Sequence, residues 1–119
     1  MILTHRNIEG IDIVSLSGRL VMADVPQVRQ KLLAIVEAGN GKLVLDLKGV
    51  GFMDSSGLSV LVSVFKAARA KGGDMVLLGL SPTVRSLIEL TRLQHIFSIF
   101  DDEATALARL AESAKSAAG

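Results

Sequence analysis

Hydrophobic positions in this chain change period several times. Ile2 to Ile8 and Ile11 to Leu16 read as two short strands, with Glu9-Gly10 as a turn between them. So short a connection cannot carry a parallel crossover, which predicts an antiparallel hairpin. Ser17-Gly18 is expected to end the second strand. Val25, Val28, Leu32, Ile35 and Val36 then recur at helical spacing and mark a buried stripe. Asp24 stands where a cap belongs, and Pro26 falls in the first turn. Gly39-Asn40-Gly41 stops this helix, and Gly39 suits the left-handed position after its end.

Leu43 to Leu47 is apolar on both faces apart from Asp46, which suits a strand covered by helices on both sides. A glycine-bearing loop, Lys48 to Ser55, follows, and then a long helix from about Ser56 to Ala70. Gly72-Gly73 breaks it, and Met75 to Leu78 forms another buried strand. Ser81-Pro82 starts a third helix whose core face is Val84, Leu87, Ile88 and Thr91. Ile96 to Phe100 is a last short strand. Asp101 or Asp102 caps a final helix with Ala104, Leu107, Ala108 and Ala111 inward. The order ββαβαβαβα predicts an α/β fold: a mixed, mostly parallel sheet with an opening β-hairpin and about four helices packed on it.

Composition narrows the function classes. The 119 residues make one domain, placed at 1–112, with an Ala/Ser tail at 113–119 expected to fray. Thirteen basic and 12 acidic residues leave a net charge of +1, so there is no basic footprint for nucleic acid. The aromatic residues are all Phe, which argues against a base-stacking platform. With no cysteine, disulfides, Cys-ligated zinc, iron–sulfur clusters and thiol chemistry are excluded. Met1 to Asn7 lacks the basic start and long apolar run of a signal peptide. No apolar run approaches the ~18 residues of a transmembrane helix. A cytoplasmic domain without membrane insertion, metal or cofactor is the expectation.

The most unusual stretch is Phe52-Met53-Asp54-Ser55-Ser56-Gly57-Leu58, where a strand's C-terminal loop enters a helix. In open α/β sheets that edge collects function. The helix start exposes unpaired N–H groups and the positive end of the dipole, so it tolerates a phosphate. The plain alternative is that Ser55 or Ser56 caps the helix. Capping explains neither the second serine nor the preceding Asp54. At about 100° per residue, Leu58, Leu61, Val62 and Phe65 form one helix face, the apparent core stripe. Val60, Val64 and Ala67 fall opposite, interleaved with Ser59 and Ser63, and Lys66 is the first charge after Asp54. A solvated helix should carry charge there. Either another part of the chain covers this side, or it docks another protein, with Met53 at its edge. A phosphate on Ser55 at the rim of that contact would add about −1.5 to −2 charges and weaken binding without altering the fold.

These residues resemble the phosphorylation loop of the STAS domain, and most closely that of bacterial anti-sigma factor antagonists. The likeness extends over almost the whole chain. It includes Leu16-Ser17-Gly18-Arg19-Leu20, the Leu43 to Leu47 strand, Lys71-Gly72-Gly73, and Leu80 to Arg85. The resemblance implies a binding module without catalysis of its own. Its implied partner is an anti-sigma factor that is also a serine kinase of the histidine-kinase-like ATPase fold. That kinase uses its own ATP and magnesium to phosphorylate the serine directly after the Asp, here Ser55, and a PP2C-type phosphatase reverses it. Asp54, Ser56 and Gly57 complete the implied loop, and a weak homodimer through the apolar helix face is a further expectation. In one place the chain departs from the pattern. Where antagonists commonly read acidic–apolar–acidic after the glycine, it has Arg19, Leu20 and Val21, a change that bears on partner choice.

Other chemistries fit less well. Response-regulator phosphorylation needs an acidic cluster around magnesium, and no acidic pair follows the first buried strand. A hydrolase needs Ser, His and a carboxylate in register, and nothing in the spacing brings His5 or His95 to Ser55. The Gly49/Gly51 loop lacks the Gly-Lys-Ser/Thr of a P-loop. Met22, Met53 and Met75 read as core or loop filler. The alternative within the same family is a constitutive scaffold, such as a lipid-transporter accessory or part of a stress-signalling assembly, that uses this helix face without serine phosphorylation.

Overall fold

The computed structural model describes the backbone of residues 1–118 and the side chains of residues 1–112. Strands β1 (Ile2–Ile8) and β2 (Ile11–Leu20) form the predicted antiparallel hairpin. Its turn has positive φ at both Glu9 (51°) and Gly10 (87°). That left-handed pair matches the twist of the flanking strands, which makes two residues sufficient. Helix α1 (Val25–Ala38), β3 (Lys42–Met53), α2 (Ser55–Ala70), β4 (Asp74–Leu78), α3 (Pro82–Leu90), β5 (Ser98–Phe100) and α4 (Glu103–Ala118) follow. The five strands lie in the order β1-β2-β3-β4-β5, all parallel after the hairpin. The predicted element order and sheet type are therefore those of the molecule.

Alternation along the strands sorts the core into two layers. Val14 and Leu16, Leu43, Leu45 and Leu47, and Met75 and Leu77 face α1, α2 and α3, where they meet residues such as Leu32, Leu61, Val64 and Ile88. Ile11, Ile13, Val44, Val76 and Leu78 face the other way, onto Ala106 and Leu110 of α4. Asp46, on the α4 face, is buried and satisfied. It accepts from the Ser15 hydroxyl at 3.1 Å and the Lys48 backbone N–H at 3.0 Å.

Several boundaries move. The second strand continues past Ser17-Gly18 to Leu20, and the expected loop after Leu47 is mostly strand, because these two extensions pair with each other. Register shifts between Ser15 and Ser17 and between Gly18 and Arg19 absorb the irregular sequence there. Asp24 makes no side-chain cap bond, being itself the end of a 3₁₀ turn, Met22–Asp24. Gly39 is not left-handed (φ −101°), and Ile35 is only half-buried. The end of α1 is satisfied from elsewhere: the Lys71 ammonium donates to the carbonyls of Val36, Glu37 and Gly39.

Thr91 is exposed rather than core, its hydroxyl donating back to the Leu87 and Ile88 carbonyls at the end of α3. Ile96 lies outside β5 and is 51% exposed. In α4 the inward residues are Ala106 and Leu110, with Leu107 half-buried, whereas Ala104, Ala108 and Ala111 are exposed. The phase is set by Asp102, whose carboxylate caps the helix through the Thr105 N–H at 2.9 Å. Backbone and side-chain hydrogen bonds from Thr105, the first the stronger, hold that exposed carboxyl below its ordinary range, helped weakly by Lys48. The tail set apart at 113–119 lies outside the residues whose side chains are described.

Candidate functional site

The site is the junction where β3 ends and α2 begins. Asp54 is extended (φ −98°, ψ −177°) and is the N-cap. One carboxylate oxygen, Oδ1, accepts from the Gly57 N–H at 3.0 Å, and Oδ2 accepts from the Met22 N–H at 3.1 Å. Its own N–H donates to the Leu20 carbonyl at 3.3 Å, and its carbonyl accepts from Leu58 N–H at 3.1 Å. Asp54 thus caps α2 and ties the end of β2 and the 3₁₀ turn to it. Neither serine is the cap. Ser55 is the first residue of α2, is exposed, and leaves the capping to its neighbour. Ser56 is half-buried, and its carbonyl accepts from the Ser59 hydroxyl at 2.7 Å.

Gly57 is buried for a steric reason. A Cβ there would sit 2.5 Å from the Leu20 carbonyl oxygen and 2.7 Å from Met53 Cγ. Only glycine lets the first turn of α2 lie this close to the end of β2. No acidic residue follows the cap within the first turn, so beyond Asp54 no carboxylate offsets the positive end of this 16-residue helix beside Ser55.

The face assignment along α2 needs correction. Val60 and Val64 are fully buried and belong to the core between the sheet and α1. Met53 is also buried, at 3% exposure. None of the three can be a docking surface in this fold, nor can Val60 and Val64 serve a homodimer. The buried arc, Gly57, Leu58, Val60, Leu61, Val64 and Ala68, lies between the two faces drawn from periodicity. Val62, Phe65 and Ala67 flank it, half-buried. Small residues such as Val60 and Val64 are not an outer face, because α1 covers one side of the helix and the sheet another.

Over the first half of α2, what remains outward is a line of hydroxyls, with Lys66 and Arg69 exposed further along. Ser59 is exposed, and Ser63 is half-buried, donating to the Ser59 carbonyl at 3.0 Å. Arg29 of α1 reaches across to Ser59 Oγ at 3.3 Å. Two apolar side chains that sequence reasoning missed are exposed on the segments that meet at Asp54. Met22 is 70% exposed in the turn bound by Asp54, and Phe52 is 39% exposed on the last stretch of β3. Arg19 lies over the Phe52 ring, 5.0 Å from its centroid. Met22 stands where periodicity lapses between β2 and α1, and that lapse was the available signal. Of the other methionines, Met53 and Met75 are core. His5 is hydrogen-bonded to Asp12 at 2.8 Å, and His95 is exposed in a 3₁₀ turn, Leu93–His95. No helix among the described residues is long and apolar enough to cross a membrane.

Comparison with known proteins agrees with this geometry. The family model of the STAS domain matches residues 3–106. The chain is 36% identical over 102 residues to the anti-sigma F factor antagonist of Paenibacillus polymyxa, covering 85% of this chain and 87% of that one. It is 36% identical over 86 residues to the anti-sigma-B factor antagonist of Bacillus subtilis, covering 72% and 78%. The solved structure of the anti-sigma factor antagonist SpoIIAA in its unphosphorylated form superposes with a TM-score of 0.81 at 24% identity, over 93% of this chain and 97% of that one. SpoIIAA from Bacillus in its phosphorylated form gives 0.72 at 23%, over 91% and 98%. With its opening hairpin, its sheet order and its Asp-Ser-Ser-Gly junction, the chain belongs to the STAS-domain family of anti-sigma factor antagonists.

Proposed function

We propose that this protein is a cytoplasmic anti-sigma factor antagonist, a binding module rather than an enzyme, switched by phosphorylation of Ser55. Unphosphorylated, it holds an anti-sigma factor that is also a serine kinase of the histidine-kinase-like ATPase fold. In the modifying step the γ-phosphoryl group of ATP passes to Ser55 Oγ. A new P–O bond to the serine replaces the bond to the β-phosphate oxygen of ADP, and the hydroxyl proton passes to a base on the kinase. A PP2C-type phosphatase hydrolyses the ester and resets the switch.

One observation carries this reading: Asp54 caps α2, and the exposed Ser55 hydroxyl beside it makes no hydrogen bond among the described residues. The contact surface is redrawn as Met22, Phe52, Ser55, Ser59 and Ser63, with Ala67 at its far edge. A phosphate in that contact must be paired or desolvated. Losing about 3 kcal/mol weakens binding more than a hundredfold. The fold accepts the charge, because it lies at the positive end of α2.

The test incubates the protein with candidate kinases from its own genome and ATP, maps the added phosphate, and measures binding of Ser55→Ala and Ser55→Asp. The proposal expects a single phosphate on Ser55, retention of the kinase by the alanine variant and loss by the aspartate variant. Equal binding by both overturns it.

A further inference from the structure

We propose that Arg29 is the built-in counter-charge for a phosphate on Ser55, and that modification draws this guanidinium from Ser59 toward Ser55. The inference rests on the reading of Ser55 as the modified residue and adds a second, regulatory residue to it. Arg29 projects from α1 toward α2, where its Nη2 donates to Ser59 Oγ at 3.3 Å, beyond the usual range for such a bond. Its Nε is buried and has no hydrogen-bond partner. A guanidinium presents five N–H donors in a rigid fork that matches phosphate oxygens two at a time. Here one donor is idle and another holds a neutral hydroxyl at long range, so a stronger acceptor nearby would be taken up.

Ser55 is placed to supply one. It precedes Ser59 by four residues, so the two side chains are neighbours on one helix face, with Cβ atoms about 5–6 Å apart. A phosphate on Ser55 extends that side chain and offers three acceptor oxygens. Charge-assisted bonds to it are roughly twice as strong as the neutral one Arg29 now makes. The other charged groups at this end are accounted for. Asp54 is committed to the Gly57 and Met22 N–H groups, and Arg19 lies over Phe52. Asp24 is half-buried at the start of α1, and Lys66 is about three turns along α2. Phosphorylation then changes the surface twice, by adding an anion at Ser55 and by shifting a cation away from Ser59. An aspartate at position 55 has a shorter reach and less charge, so it would reproduce only part of this.

The test needs no kinase. Phosphoserine is placed at position 55 of the full chain during translation, and the phosphate is titrated by phosphorus NMR. Its second ionisation, ordinarily near pH 6, is expected about one unit lower with Arg29 present than in Arg29→Gln. Arg29→Lys should recover part of that shift, and Arg19→Gln should leave it unchanged. Ser59→Ala, which removes the resting partner, should keep the wild-type value or lower it. Circular dichroism establishes that each variant is folded. Equal titration of wild type and Arg29→Gln, or a shift that follows Arg19 instead, overturns the proposal. Failure here leaves the partner switch standing, and failure to find a kinase leaves this pairing intact.

Discussion

Helices α2 and α3 begin with similar-looking serines that have different tasks. At α3 the serine precedes the helix: Ser81 is the cap, accepting a long bond from the Val84 N–H at 3.4 Å, with Pro82 following as the first helical residue. At α2 an aspartate occupies the cap, and the serine is displaced by one position into the helix. The shift of one residue changes what the hydroxyl is for. Ser81 Oγ is part of the scaffold, whereas Ser55 Oγ is surplus to it. A serine at a helix start is open to modification when its neighbour carries the structural bond.

The contrast can be broken most sharply through the glycine beneath it. Gly57→Ala forces a methyl group against the Leu20 carbonyl and should cost about 1–3 kcal/mol, read as a lower urea midpoint. Gly51→Ala, with no atom within 4 Å of the added carbon, should stay within about 0.5 kcal/mol and serves as the control. Asp54→Ala comes next. It removes the acceptor of two backbone N–H groups and should lose about 1–2 kcal/mol, while Asp54→Asn retains most of it.

A smaller effect compares the serines directly. Ser81→Ala should cost about 0.5–1 kcal/mol through the lost cap, and Ser55→Ala less than about 0.5. Matching losses would mean that Ser55 is structural after all. The smallest effect is at a third helix start. The Asp102 carboxyl titrates below its unfolded value, so its contribution is present above the ordinary carboxylate range and fades as pH falls through the lowered folded value. Urea midpoints of wild type and Asp102→Asn should therefore converge at acid pH.

Most of the fold was legible because hairpin, strands and helices each carry a local signal. Two-residue turns force antiparallel pairing, and apolar runs bounded by glycine mark buried strands. The misreadings share a cause in tertiary context. The pairing of β2 with β3 extends both through glycines that locally read as loop. Val60 and Val64 looked outward because a helical wheel sees one partner surface, whereas α2 is pressed by both the sheet and α1. Ser55, Asp54 and Gly57 could be located from sequence. That Asp54 rather than a serine would do the capping could not, since Asp54, Ser55 and Ser56 are all of good capping types. Met22 and Phe52 were missed because exposure of an apolar side chain depends on what fails to cover it.

The lysine that closes α1 has one more implication. Lys71 follows α2, yet it satisfies carbonyls at the end of the preceding helix. As the chain leaves the ribosome, α1 therefore emerges unfinished, and its last turn stays hydrated until a further strand and helix have been made. Arginine would be a poor substitute, since a flat fork cannot aim at three oxygens converging on a point as an ammonium does. The end of α1 is thus completed by a side chain 32 residues beyond Gly39, so the helix gains its full stability only once α2 has been made and packed against it.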